Sequence, residues 1–298
     1  MVTLKANFEA DWVAHLRNRL VQMWGPIVEG VADDDIPLRF FDSLGRKIAI
    51  QPRALKIADD FSCPVQHAAG WMLLQEKVRR GDNLTPHLSI GHTSPFNADG
   101  LLAEWQVHHF HLGAEPYSRN PNFIDRSGHL VFALVDAIAF HAINVYRHGD
   151  WEDVQIVESI HRNWPDAIRL SRVNSVTGIK GEALEKKQRR NLRKYNVNVA
   201  ISTSDGTTYM ALGGGTSSSG VRTDAIVRAR QWRDEIKRSQ IGMERLLSQV
   251  MPALPQQGYS GENEIDAKLQ ITGLGDYQVL FPRYGAVANL SDAPMFRA

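Results

Sequence analysis

Apolar positions recur at three-to-four spacing from the start of the chain: Phe8, Trp12, Leu16, Leu20 and then Met23 or Trp24. This predicts an amphipathic helix, with Asn7 as its cap and Gly25-Pro26 as its stop. Leu-Arg-Phe-Phe and Lys-Ile-Ala-Ile-Gln-Pro flank Ser43-Leu44-Gly45, which reads as a hairpin, and the aspartates at 33–35 read as a solvated loop. A second helix is expected from Pro64 to Arg80, carrying His67 and stopped by Gly81. The turn-rich stretch that follows holds His87 and His92 in a loop.

From Trp105 to Trp164 the period changes. Three antiparallel strands are expected near 104–112, 129–136 and 139–147, with a tight turn at Asp136-Ala137. A helix then runs from about 151 to 163. Asp150 is its natural cap, Asp153 lies three residues on, and Val154, Val157, Ile160 or His161, and Trp164 form its buried stripe before Pro165. Beyond a short apolar segment and an Asn-Ser-Val-Thr-Gly turn comes a basic helical segment, Lys180–Asn196. A hairpin around Asp205-Gly206 follows, and the glycine-serine run Gly213–Gly220 opens onto a helix from about Thr223 to Gln240 with Ala225, Ala229, Trp232 and Ile236 inward. Paired strands turning at Gly273-Leu274-Gly275 close the chain. The fold class expected is α+β: a mainly antiparallel sheet with flanking helices in residues 1–174, and a second, smaller α+β domain in 175–298.

Composition narrows the class. At 43% hydrophobic and 22% charged residues the chain has the make-up of an ordinary globular protein. No apolar run approaches the roughly 20 residues that span a bilayer, and the N-terminus lacks a basic-then-apolar signal, so the expectation is a cytoplasmic protein without membrane association. The single cysteine, Cys63, excludes an intrachain disulfide framework and a cysteine-rich zinc site. A formal charge of +1 hides an asymmetry, since residues 1–164 are net acidic and residues 165–298 net basic. Such a split suits either mutual docking of the halves or a polyanionic partner, and it also occurs as plain unevenness of surface charge.

The chemistry concentrates where the strands do, because residues 105–164 hold most of the chain's eleven histidines. Side chains alternate along a strand, so His109 and His111 share a face about 7 Å apart while His108 points the other way. Histidine titrates near neutrality, and an arginine supplies fixed charge. His109, His111 and His148 are therefore the proton-transfer candidates, Tyr146 is an alternative acid on the face of His148, and Arg126 is the cation. Two other readings of the cluster stay open. One is a structural set of strand histidines; the other is a metal site in which His148 or Asp150 joins His109-x-His111. The basic segment has the same ambiguity: Lys186, Lys187, Arg189, Arg190, Arg193 and Lys194 suit contact with nucleic-acid phosphates, or a solvated linker helix. The glycine-serine run matches neither the P-loop nor the dinucleotide fingerprint, leaving flexible connection or nucleotide binding.

The order of features in the middle of the chain resembles the sheet of RelE- and HigB-type messenger-RNA-cleaving toxins. An arginine, Arg126, leads into the apolar strand Leu-Val-Phe-Ala-Leu-Val; a short turn follows, then a strand ending in the polar cluster Tyr146-Arg147-His148, then a closing helix. The resemblance implies a metal-independent endoribonuclease that needs no cofactor, with Arg126 and Tyr146-Arg147-His148 at its site. It further implies RNA as substrate and a neutralising protein partner. The alternatives from other classes are a His-ligated metal-dependent hydrolase or oxygenase, and a non-catalytic nucleic-acid-binding or interaction protein.

Overall fold

A computed structural model of the chain describes residues 2–150, 154–177, 184–211, 215–254, 258–272 and 277–290. Its first elements are β1 (Thr3–Lys5), α1 (Phe8–Trp24), α2 (Ile36–Arg46), β2 (Ala54–Ile57), α3 (Ala68–Arg80) and α4 (Gly100–Trp105). The middle of the chain forms β3 (Val107–His111), β4 (His129–Val135), β5 (Ala139–Arg147), α5 (Val154–Asn163), β6 (Arg172–Thr177) and α6 (Lys186–Lys194). Then come β7 (Ile201–Ser202), β8 (Thr207–Tyr209), α7 (Thr223–Val250), β9 (Glu264–Asp266), β10 (Lys268–Ile271), β11 (Tyr277–Phe281) and β12 (Ala286–Asn289). The class is α+β with mostly antiparallel strands. Among the described residues no helix is long and apolar enough to cross a membrane.

Two compact units emerge, one of residues 1–41 with 226–298 and the other of residues 42–225. The boundary expected near residue 175 falls inside the second unit. The histidine-rich strands and the basic helix α6 therefore belong to one body.

In the unit of residues 1–41 and 226–298, Asn7 caps α1 by accepting the Ala10 N–H at 3.0 Å. Phe8, Trp12, Leu16 and Leu20 are all buried, as their spacing requires. The Asp11 carboxylate accepts the Leu269 N–H at 2.8 Å, tying α1 to β10. Strands β10, β11 and β12 form an antiparallel meander, and β1 pairs in parallel with β9. Where paired strands are expected to close the chain there are three, since a turn in which Gly285 adopts a φ of 60° separates β11 from β12. Helix α7 outruns its expected end at Gln240 because Met243 and Leu247 continue the stripe of Ala229 and Ile236. The expected turn at 273–275 lies outside the described residues.

The other unit is built on a four-stranded sheet in the order β2-β5-β4-β3. The three antiparallel strands are those expected; β2, parallel to β5, adds the fourth. Helix α3 covers one face, with Trp71, Leu74 and Val78 against Phe110, Val131, Ala133 and Phe140. Helix α5 covers the other, with Ile156, Val157 and Ile160 against Val107, Leu130, Phe132, Leu134 and Ile143. Burial on both faces explains the unbroken apolar run of β4. Each such side chain contributes about 1.5–3 kcal/mol.

Three local expectations are corrected. Residues 36–46 form helix α2, not a hairpin: Ile36, Phe40 and Ser43 are buried at helical spacing, and Asp42 pairs with Arg46 one turn on. The strand expected from 104 begins at Val107, because Asp99 caps the short helix α4 by accepting the Leu102 N–H and Gln106 ends it at a φ of 55°. The expected turn at 174–178 is occupied to Thr177 by β6, which pairs with β8. The start of the helix expected at 151, with Asp153, lies outside the described residues.

Gly70 is the point of closest approach between α3 and the sheet, since a Cβ there would overlap the Leu112 carbonyl. Gly70→Ala should therefore destabilise the fold by about 1–3 kcal/mol, read as a lowered urea midpoint. An unchanged midpoint would mean that α3 shifts without cost.

Candidate active site

Register decides which of the candidate side chains meet. His109 lies opposite Phe132, His111 opposite Leu130, and Leu130 opposite Tyr146. His109, His111 and Tyr146 thus lie on the face covered by α5, with the His109 and Tyr146 rings 6.3 and 4.9 Å from Phe132. Just past the end of β5, the His148 N–H donates to the Gly128 carbonyl at 2.9 Å, and the His148 ring centroid lies 6.4 Å from that of His111.

A cleft of about 330 Å³ opens at the α4 end of β3. His109 and His148 line it, as do His92 and His108, with Asp99, Arg46 and Arg193 among the charged residues. His108 points to the opposite sheet face, as alternation requires, and reaches the cleft because β3 is an edge strand. Asp99 serves twice: Oδ1 caps α4, and Oδ2 stands 3.7 Å from His109 Nδ1.

Burial sets the charge states. His109 is held below the ordinary imidazole value chiefly by burial, opposed by the Asp99 carboxylate. His108 is pushed down to about 3 and His92 to about 4, again by burial first. His111 is buried, with its value lowered to about 3 by burial and by the Arg126 charge. The Ser127 N–H donates to His111 Nδ1 at 3.2 Å, which assigns the ring proton to Nε2. Ser127 also donates from Oγ to the His129 carbonyl and accepts the Leu112 N–H, so one side chain fixes the end of β3 against the start of β4. His111 is therefore a buried neutral imidazole behind the cleft.

Arg126 stands behind the wall as well. Its Nη1 donates to the carbonyl of the cleft-lining Leu88 at 2.9 Å, its guanidinium lies 5.9 Å from the Phe123 ring, and burial lowers its value to about 10, so it stays charged at neutrality. It touches the site through its field, which depresses both His109 and His111.

The basic helix joins this arrangement from the side. Lys186, Arg190 and Arg193 fall at i, i+4 and i+7 and meet the Asp150 carboxylate at 3.7 Å, the Gly149 carbonyl at 2.7 Å and the Glu104 carboxylate at 2.5 Å. Arg193 contacts Glu104 through both Nε and Nη2. Arg189 donates to the Leu184 carbonyl. Lys187 and Lys194 are exposed. Most of the cations assigned to phosphate contact are thus also engaged with the protein. Beside α6 a second cleft of about 460 Å³ shares Arg46, Asp99, Gly100 and Arg193 with the first, and adds Asp42, Arg190, Lys194, Thr216, Gly220 and Arg222.

His109 and His148 are thus the two expected proton-transfer residues in the cleft lining, whereas His111, Tyr146 and Arg126 stand outside it. His92, His108, Asp99, Glu104, Arg46 and Arg222 had no place in the expected site. The Asp-Gly-Leu-Leu-Ala-Glu-Trp run was the available signal for α4, being a cap residue before an apolar helical turn. His161, by contrast, lies between the Tyr209 hydroxyl at 2.8 Å and Asp205 at 3.1 Å, as a hydrogen-bonded structural histidine should. Among the described residues no three histidine, cysteine, aspartate or glutamate side chains converge as a metal-holding group. No protein-family model, curated protein or solved structure matches the chain.

The depressed histidines have a measurable consequence. His87, His108 and His111, with values lowered to about 4, 3 and 3, stay neutral in the fold but protonate near 6.5 in the unfolded chain. Their stabilisation is complete above about pH 6.5 and is lost as pH falls toward the folded values, by up to about 1.4 kcal/mol per pH unit for each. Urea unfolding at pH 7, 6 and 5 should show this decline, and His111→Gln should flatten it by about one proton. A profile level from pH 7 to 5 would contradict the burial of these rings.

Proposed function

We propose that this chain is a metal-independent endoribonuclease, toxin-like in kind, that cleaves RNA by attack of its own 2′-hydroxyl. The observation that carries the reading is the pairing of His109 and His148 in one cleft beside the guanidinium-bearing wall of Arg46 and Arg193. His109, kept neutral by burial and faced by Asp99, takes the 2′-hydroxyl proton. The 2′-oxygen bonds to phosphorus as the P–O5′ bond breaks. His148 returns a proton to the 5′-oxygen, leaving a 2′,3′-cyclic phosphate and a 5′-hydroxyl. Arginine charge at the cleft wall stabilises the dianionic phosphorane.

His111 and Ser127 act as positioning residues, fixing the end of β3, the strand that carries His109, against the start of β4. Arg126 biases the His109 and His111 imidazoles toward their neutral forms. The resemblance to RelE- and HigB-type toxins points the same way, and with it come cytoplasmic RNA as substrate and a protein partner that silences the activity.

Purified protein incubated with labelled RNA in EDTA should release fragments ending in 2′,3′-cyclic phosphate. His109→Ala and His148→Ala should each lower the rate by about 10²–10⁴-fold with little change in RNA affinity. Cleavage abolished by the chelator, or rates in both variants equal to that of the unaltered protein, would contradict the mechanism.

A further inference from the structure

Apart from the shared Arg46 and Arg193, the second cleft has no role in that chemistry, yet its composition is not that of a passive surface. Five cations line it, Arg46, Arg190, Arg193, Lys194 and Arg222, against the carboxylates of Asp42 and Asp99. Arg193 and Arg222 are paired from behind by Glu104 and Asp224, and Arg46 by Asp42. Lys194 makes no ion pair among the described residues and is exposed at the rim. The floor is polar as well: Asn196 Nδ2 donates to the Ser218 carbonyl, and the Ser217–Val221 turn, with Gly220 at a φ of 77°, brings backbone to the edge.

Arg222 is the informative residue. Its side chain is 7% exposed, and it grips Asp224 through Nε at 2.9 Å and Nη2 at 2.6 Å. Its Nη1 is buried and has no hydrogen-bond partner among the described residues. Asp42, which lines the same cleft, accepts the Arg46 Nε–H at Oδ2, while its Oδ1 is likewise buried and has no partner among the described residues. Buried guanidinium N–H groups are satisfied in nearly all proteins, so an orphan in a cationic cleft indicates a missing acceptor. Gly45 permits the arrangement, since a Cβ there would collide with the Arg222 guanidinium.

We propose that this cleft is a binding site for a phosphate-type oxyanion, with Arg222 and Lys194 as its principal donors. The oxyanion is either the phosphodiester of an RNA strand running on from the histidine cleft or a free phosphate. Assigning it to the RNA strand rests on the ribonuclease reading; the site itself does not. A free monoprotonated phosphate would match the orphans in both senses, accepting from Arg222 and donating its hydroxyl hydrogen to Asp42, whereas a phosphodiester has no such hydrogen and would only accept, from Arg222 and Lys194. Six residues line both clefts, Arg46, Ala98, Asp99, Gly100, Leu102 and Arg193, which makes the clefts neighbours along one groove.

The test uses the full chain and two probes that need no catalysis: inorganic phosphate by calorimetry, and a 2′-O-methyl oligoribonucleotide, which lacks the attacking hydroxyl, by fluorescence anisotropy. At least one probe should bind saturably, and about tenfold more weakly in Lys194→Gln and in Arg222→Gln. Binding of the oligonucleotide alone makes the ligand an RNA backbone phosphate. Binding of phosphate alone supports the site while counting against RNA as its source. Circular dichroism establishes that each variant is folded, and Lys194→Gln, altered at an exposed position, carries the test if Arg222→Gln does not fold. No saturable binding of either probe, or affinity within twofold of the unaltered protein in the folded variants, would overturn the proposal.

Discussion

The contact between Arg193 and Glu104 holds the site together. It is bidentate, the two side chains are only 19% and 12% exposed, and it joins the basic helix to the short helix that precedes β3. Lys186 and Arg190 add weaker contacts between α6 and the segment just past β5. A half-buried pair of this kind is not cheap to form, and removing one partner strands the other charge at a cost on the order of 3 kcal/mol. Gly100 is part of the same constraint, because a Cβ there would lie 2.5 Å from Arg193 Cδ. The helix start that places Asp99 beside His109 is thus also where an arginine stem from α6 packs. One set of contacts thereby creates the boundary shared by the two clefts.

The sheet supplies the other requirement, which is histidine without charge. Alternation along β3 sends His109 and His111 to one face and His108 to the other, and β3 lies at the sheet edge. Burial then disfavours the imidazolium at each of these positions, more strongly than the Asp99 carboxylate restores it at His109 and His108. His111 is locked as one tautomer by the Ser127 N–H, a hydrogen bond that requires a neutral ring. A neutral base at His109 follows from where the strand lies, not from any one neighbouring residue.

Much of this was legible in the sequence, for identifiable reasons. Helix α1, helix α3 and the three antiparallel strands announce themselves by period, cap and stop residues, and His109 and His148 were named from strand alternation and resemblance alone. What escaped notice depended on contacts between segments distant in sequence. Residues 36–46 carry β-prone Phe40 and Phe41, and only the burial of Ile36, Phe40 and Ser43 on one side resolves them as a helix. Glu104 looks like one strand residue among others until α6 folds back upon it. Arg222 gave no signal, since its orphaned nitrogen is created by Gly45, far away in the chain. The division into units was equally hidden, because it brings residues 1–41 together with residues 226–298.

The central claim is that RNA lies in the cleft between His109 and His148, and histidine-selective NMR reads it directly. In protein carrying labelled imidazoles, a 2′-O-methyl oligoribonucleotide should shift the ring resonances of His109 and His148 together and saturably. His161, held between Tyr209 and Asp205, and His141, bonded to Asp136, should stay in place. Shifts confined to other histidines, or a spectrum unmoved at saturating oligonucleotide, would contradict the account.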